Sequence, residues 1–317
     1  MENEELSLYK SRGYSKCIRD GYRLFSRNFM SIVRHTWLPV LIYSIINGIA
    51  VAVLYAGGSI QQQGILTNNL SMVRLGSIYL TAAILGYVLS LVVSMIACGR
   101  YYSMLCVHSS NDAFPGKKEK LDKSLVRSCV RRMWTWMIFS FVISFLLVLL
   151  ILLPIYTMHN GMTFDPSNWL PVLLSFCLMI VMGIITLPLL NVFTSFLIDH
   201  SKGFLKTLRT TYGKSFRHWG YLFALTLIVG ILYCFVLLIL NTPNLILFLA
   251  DNIDAMGVAG GDPSGLPAYF SIYVAVVMII TLLLTFYFIF FLVTIYYYSY
   301  GSIEKQEEEK KERLKDR

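Results

Sequence analysis

Six long apolar runs alternate with polar, mostly basic segments along the chain. A helix needs about 20 mostly apolar residues to cross the hydrocarbon layer of a bilayer. Each run meets that length and contains no Asp, Glu, Lys, Arg or His. The runs are residues 37–57, 75–98, 134–156, 170–198, 221–240 and 270–298. A transmembrane β-barrel would instead have alternating segments of about ten residues. The pattern therefore predicts an all-α membrane protein with six transmembrane helices.

The polar segments between the runs are too short to form independent domains, which usually need about 50 residues or more. Hydrophobic residues make up 56% of the 317 residues and charged residues only 14%, which excludes a disordered chain and a typical soluble enzyme. We therefore expect one six-span membrane domain, residues 1–303, followed by a charged cytoplasmic tail, residues 304–317.

Three of the polar segments are amphipathic at helical spacing, and each ends in a basic residue and a Trp before a span. These ends run from Arg34 to Trp37, from Arg131 to Trp134 and from Arg217 to Trp219. We interpret the chain as a threefold repeat, in which each unit is an amphipathic interfacial helix followed by an out-and-back pair of helices. The alternative is that any basic loop before a span is somewhat amphipathic.

The distribution of positive charge predicts the orientation. Of the 27 Lys and Arg residues, all except Arg74 belong to the N-terminal segment, the C-terminal segment and the connections on the same side of the bilayer. Positive charge stays cytoplasmic, so both termini are expected inside. The net charge of +9 then follows from topology, and no nucleic-acid partner is expected.

The basic residues of the interfacial helices are candidates for contact with anionic lipid headgroups. These candidates are Arg19, Arg23, Arg27, Arg131, Arg132, Lys206 and Arg209.

The run from Gly21 to Phe29, GYRLFSRNF, is followed by Trp37 and a span. This arrangement resembles bacterial six-span membrane proteins of the YciC-like group and the membrane domain attached to some glycerophosphodiester phosphodiesterases. The resemblance covers most of the chain as architecture and implies a six-span fold in the cytoplasmic membrane of a bacterium. Those families have no well-established catalytic residues, so the resemblance assigns no site residue here. This chain also lacks a phosphodiesterase domain.

Recognisable chemistry is missing from the sequence. There is no Walker A motif, no His-Glu-x-x-His and no Cys-x-x-Cys, and the five histidines do not pair at metal-ligand spacing. The spans carry no carboxylate, which argues against proton-coupled transport. We therefore expect a protein that is not an enzyme, with no catalytic residue, no cofactor and no metal, and we interpret the six cysteines as reduced packing thiols.

Two sets of residues inside the spans have candidate roles. Small residues at steps of four in the second span predict close helix packing, within the chain or across a dimer: Ala82, Gly86, Ser90, Ser94 and Cys98. Asn47, Pro188 and Asn191 are the candidate lining of a pathway, because a proline can expose helix backbone to a substrate. The alternative for these three is a packing role.

Two functions follow from these expectations. The first is a scaffold or accessory subunit that binds anionic lipid or a membrane protein partner, since basic interfacial helices coexist with missing chemistry. The second is an uncoupled permease or lipid-handling transporter for a neutral or amphipathic substrate, which requires a polar cavity or groove that reaches Asn47 and Asn191.

Overall fold

The computed structural model describes residues 7–116, 119, 121–159, 170–261, 265–267 and 269–315. These residues form seven α-helices and no strand. The helices are α1 (Tyr14–Leu66), α2 (Leu70–Asn111), α3 (Lys123–His159), α4 (Leu170–Ile198), α5 (Phe204–Arg217), α6 (Trp219–Ala259) and α7 (Phe270–Lys315). All except α5 are long and apolar enough to cross a membrane. The predicted all-α, six-span fold is confirmed.

Most of these helices extend well beyond the apolar runs that predict them. Helix α1 has 53 residues and joins the basic segment from Tyr14 onward to the first span without a break. At about 1.5 Å per residue it far exceeds the roughly 30 Å of the hydrocarbon layer. The basic segment before the third span is likewise continuous with it in α3. Only α5 is separate from the span that follows, with His218 between them. The threefold repeat stays a prediction.

Large apolar side chains cover the outside of the spans. Phe141 of α3 and Leu238 of α6 are each 71% exposed, and Ile231 is 64% exposed. Exposed apolar surface on this scale is unfavourable in water and normal in lipid. The spans therefore pair an apolar exterior with the helical backbone that a bilayer requires.

Pro39 lies inside α1 and leaves a carbonyl group without its helical donor. Proline has no N–H, so the oxygen of His35, four residues earlier, loses its partner. The guanidinium of Arg100 on α2 donates a hydrogen bond to this oxygen at 3.1 Å. A side chain from a neighbouring helix thus keeps α1 continuous at a position where proline would otherwise weaken it.

The described residues belong to two compact units. The first unit is drawn from residues 1–27, 102–227 and 293–317, and the second from residues 28–101 and 228–292. Helices α1, α2, α6 and α7 each contribute to both units. The single domain ending at residue 303 stays a prediction, although α7 is continuous through that boundary as far as Lys315.

Candidate functional site

In the first unit, the segment before α1 is anchored to α7 through Arg12. The backbone N–H of Arg12 donates to Ser302 Oγ at 2.9 Å, and Ser302 Oγ donates back to the Arg12 carbonyl at 2.8 Å. The Arg12 side chain is 1% exposed, forms an ion pair with Asp20 at 2.9 Å, and lies 4.7 Å from the centre of the Tyr298 ring. Arg12 therefore positions the beginning of α1 and is withdrawn from the surface.

The first turns of α1 pack through small residues and expose their cations. Cys17 and Leu24 are buried, and a Cβ atom on Gly21 would lie 3.1 Å from Ile295 of α7. On the exposed side of the helix, cations alternate with aromatic side chains. The exposed residues are Arg19, Arg23 and Arg27 together with Tyr14 and Tyr22.

Helix α5 packs through hydroxyl groups and turns apolar side chains outward. Thr207, Thr211 and Ser215 form its buried side. Leu205 is 76% exposed and Phe216 is 50% exposed. Lys206 and Arg209 are exposed on the same helix. A helix with apolar side chains and cations both outside is suited to the boundary between acyl chains and headgroups.

Two ion-pair groups tie α5 and the start of α6 to the end of α7. Lys214 Nζ lies 2.8 Å from Glu304 Oε2. Glu307 is nearly buried and pairs with Arg217 at 3.5 Å and with His218 at 3.1 Å. The residues of the predicted tail therefore hold α5 in place. Lys214 and Arg217 are neutralised, in contrast to Lys206 and Arg209.

Arg131 and Arg132 on α3 have different surroundings. Arg131 is exposed. The Arg132 guanidinium donates to the carbonyl oxygens of Asp199 and His200, both at 2.9 Å, and to that of Phe196. These oxygens lie at the C-terminal end of α4, where helical carbonyls lack N–H donors. Arg132 was a predicted headgroup contact, and in the structure it caps α4.

Asp199 stabilises the turn that follows α4. Burial would raise the pKa of its carboxyl group, but hydrogen bonds from Lys202 and Ser201 favour the charged form and bring the pKa below its usual value. Lys202 Nζ lies 2.7 Å from Asp199 Oδ2, and the pKa of Lys202 is raised in return. The turn is therefore held by a charged pair as well as by Arg132.

The three candidate pathway residues make packing contacts. Asn47 in the second unit is buried and donates to Ser90 Oγ at 3.2 Å. Asn191 in the first unit is buried and donates to Ser215 Oγ at 2.8 Å. Its Oδ1 atom accepts no hydrogen bond from the described residues. Both amide groups thus hold helices together, the role that the sequence gives as the alternative to a pathway.

Pro188 is buried in α4, and its missing N–H leaves the Ile184 carbonyl without a helical donor. The indole N–H of Trp219 donates to that oxygen at 3.1 Å, and the hydroxyl of Tyr212 donates to the adjacent Ile185 carbonyl at 3.0 Å. The backbone freed by the proline is therefore bound by side chains of this chain.

The row of small residues in α2 faces α1 over part of its length. A Cβ atom on Gly86 would lie 2.9 Å from the Cβ of Ala50. Ser90 and Ser94 are buried, and Cys98 is partly buried. Ala82 is exposed, and the neighbouring Ala83 is fully buried. The close approach at Gly86 is made within one chain.

The structure also brings together three residues that sequence spacing does not connect. Cys106 of α2, Cys129 of α3 and His200, between α4 and α5, have their sulfur and nitrogen atoms within 4.8 Å of one another. Along the chain, Cys129 and His200 are 71 positions apart. No local motif could have indicated the cluster, because each residue comes from a different element.

No protein-family model, curated protein or solved structure matches the chain. Among the predicted headgroup contacts, the following lie at exposed positions of the first unit and form no ion pair with the described residues: Arg27, Arg131, Lys206 and Arg209. We call these four residues the unpaired basic set.

Proposed function

We propose that this chain is a non-enzymatic polytopic membrane protein of a bacterial cytoplasmic membrane, with both termini inside. It acts as a scaffold or accessory subunit and binds anionic lipid at its inner surface. The observation that carries the proposal is the unpaired basic set on α1, α3 and α5. The excess of Lys and Arg on the side of both termini supports the orientation.

Anionic lipid fits the surroundings of the unpaired basic set. Nearby positions on α5 present Leu205 and Phe216, whose exposed apolar side chains suit acyl chains better than water. The cations of the set have no acidic partner among the described residues, whereas Lys214 and Arg217 do. A Lys or Arg near an anionic leaflet contributes about 1 kcal/mol of binding free energy.

The test is lipid binding by the purified full chain. Native mass spectrometry in detergent would count phosphatidylglycerol and phosphatidylcholine bound to the chain and to the variant Arg27→Gln, Arg131→Gln, Lys206→Gln, Arg209→Gln. At about 1 kcal/mol for each cation, phosphatidylglycerol affinity should fall on the order of a hundredfold to a thousandfold. Phosphatidylcholine binding should change little, because its headgroup is neutral overall.

The control changes the net charge equally at another place. The variant Lys310→Gln, Lys311→Gln, Arg313→Gln, Lys315→Gln removes four exposed cations from the end of α7, where Glu308, Glu309 and Glu312 are interspersed. It should keep most of the phosphatidylglycerol affinity. Equal losses in both variants, or no loss in either, would refute the proposal. If the variant of the unpaired basic set loses a co-purifying membrane protein while its lipid binding is unchanged, these cations bind a protein partner and not lipid.

A further inference from the structure

The cluster of Cys106, Cys129 and His200 lies inside the first unit and is largely withdrawn from the surface. Cys129 is fully buried and Cys106 is 8% exposed. His200 is half-buried. Cys129 Sγ lies 3.7 Å from His200 Nε2. In a tetrahedral zinc site, bonds of about 2.3 Å to sulfur and 2.0–2.1 Å to nitrogen place such a pair about 3.6 Å apart. The spacing of this pair already fits a shared ion.

The imidazole of His200 is oriented as a metal ligand. Its Nδ1 atom lies 3.1 Å from the Ile198 carbonyl oxygen. A carbonyl oxygen only accepts hydrogen bonds, so Nδ1 carries the proton and Nε2 keeps its lone pair. That lone pair is on the side of Cys129. Metal-binding histidines usually donate their other N–H in this way, which fixes the tautomer and the ring orientation.

Neighbouring groups hold the ligand side chains and their backbone in place. Arg132 is one turn after Cys129 on α3 and donates to the carbonyl of His200 at 2.9 Å, which fixes the backbone that carries the imidazole. A nearby guanidinium also favours deprotonated sulfur. Cys106 Sγ lies 3.5 Å from the Leu197 carbonyl, so its thiol is directed toward the end of α4.

We propose that Cys106, Cys129 and His200 bind one Zn²⁺ ion, with a fourth position open to water or a further ligand. Two thiolates and an imidazole are soft and borderline ligands that suit zinc better than magnesium or calcium. Two Zn–S bonds and one Zn–N bond form, and the two thiols release two protons to solvent. The resulting unit is neutral, so its burial avoids the penalty of an isolated charge. This inference does not depend on lipid binding.

A bound ion would join three elements of the first unit. Cys106 lies near the C-terminal end of α2, Cys129 in the first turns of α3, and His200 in the turn between α4 and α5. Because α5 begins at Phe204, only four residues after His200, the ion would also fix where this amphipathic helix starts.

The experiment loads the purified full chain in detergent with Zn²⁺ alone after treatment with a chelator. Elemental analysis should find one zinc per chain, and titration in weak buffer should find two protons released per zinc. Co²⁺ in place of Zn²⁺ should give the absorption of thiolate-to-cobalt charge transfer. Cys129→Ser and His200→Asn should each lose at least nine-tenths of the bound zinc.

Two further variants separate loss of a ligand from loss of folding. His200→Cys supplies a third thiolate and should retain zinc, with a changed cobalt spectrum. Cys177→Ser with Cys234→Ser removes two exposed cysteines outside the cluster and should leave the stoichiometry at one. The proposal is overturned if the intact chain binds no zinc or if this control loses zinc as the cluster variants do.

Discussion

At the scale of single residues, each of two prolines leaves a helical carbonyl without its N–H donor. Hydrogen bonds from distant side chains to these carbonyls explain why the long helices stay continuous. Pro39 is compensated by Arg100, and Pro188 is compensated by Trp219 and Tyr212. An unsatisfied carbonyl in an apolar environment is unfavourable, which makes such donors necessary for a continuous helix. The sequence shows a proline inside the fourth span and a Trp just before the fifth, but it contains nothing that pairs Pro188 with Trp219.

The pairing of Trp219 with Pro188 predicts a coupled effect on stability. Trp219→Phe keeps a ring that can stack on Phe223 but removes the N–H that binds the Ile184 carbonyl. We expect a loss of about 1 kcal/mol, in line with hydrogen bonds between membrane helices. Pro188→Ala restores the missing N–H, so Trp219→Phe should cost much less in that background. Unfolding of the purified protein in mixed micelles would measure the free energies.

The same comparison contains its own control. If the indole acts only by packing, Trp219→Phe will cost the same in the Pro188→Ala background, and the hydrogen bond to Ile184 will have no measurable role. A double-mutant cycle reports this difference directly, because each variant removes one side of the interaction.

The pattern of a single helix predicts which of its residues are exposed, but not which of them bind a neighbouring helix. Exposed cations at Arg27, Lys206 and Arg209 follow the helical pattern of a single segment, so the sequence could predict their positions. Arg132 follows the same pattern, yet it binds carbonyls at the end of α4. The amphipathic pattern of one helix cannot reveal which neighbouring helix end needs a donor.

At the scale of elements, apolar runs predicted every span but not where the helices end. Each predicted span lies within one helix, and the fourth coincides with α4. The polarity of a segment reports the environment it prefers, whereas the backbone direction at its end depends on local hydrogen bonds. The basic segment of α1 therefore continues into the span, while α5 is separated from α6 at His218.

The packing side of α5 illustrates a related difficulty. In water-soluble proteins an amphipathic helix buries its apolar stripe. Here Thr207, Thr211 and Ser215 are buried and Leu205 is exposed. Small and hydroxyl-bearing residues allow close approach between helices in membranes, and the surroundings can accept apolar side chains. The sequence locates both faces, but the structure determines which of them packs.

The N-terminal segment packs so closely on α7 that one added methyl group at Gly301 should displace it. A Cβ atom on Gly301 would overlap the Leu8 carbonyl oxygen and lie 2.5 Å from Leu8 Cδ1. Gly301→Ala should therefore displace the segment that carries Arg12. Hydrogen exchange of the amides around residues 8–13, followed by mass spectrometry, should increase at least tenfold, because their protection depends on this docking.

The control uses a glycine with room around it. Apart from its chain neighbours and the nearby backbone of α5 itself, no atom lies within 4 Å of a Cβ added to Gly213, in the middle of α5. Gly213→Ala should leave the exchange at residues 8–13 unchanged and stabilise the helix by about 0.5–1 kcal/mol. Unchanged exchange in Gly301→Ala would mean that the segment does not depend on close packing at that position.

At the scale of the whole molecule, the sequence predicts orientation through the number of spans and the asymmetry of charge. Six spans return the chain to its starting side, and the N-terminal and C-terminal segments carry seven and six Lys or Arg residues. A green fluorescent protein fused after Arg317 should therefore fluoresce in bacteria. Alkaline phosphatase should be active when inserted between α6 and α7 and inactive when fused after Arg317, since it matures outside the cytoplasm.

The two reporters check each other, because they require opposite compartments. Phosphatase activity at the C-terminus together with a dark fluorescent fusion would invert the orientation. Such a result would also place the unpaired basic set on the outer surface, away from the leaflet to which the proposed function assigns it.

The anchoring of Arg12 by Ser302 also determines when, during synthesis of the chain, the first unit can close. These residues are 290 positions apart, so the ribosome makes Arg12 long before Ser302. Until α7 has been synthesised, Arg12 and Asp20 have no helix to cover them, and the start of α1 cannot dock. Closure of the first unit therefore waits for the synthesis of α7, and a chain interrupted before α7 would present an uncovered ion pair to the proteases that remove incomplete membrane proteins.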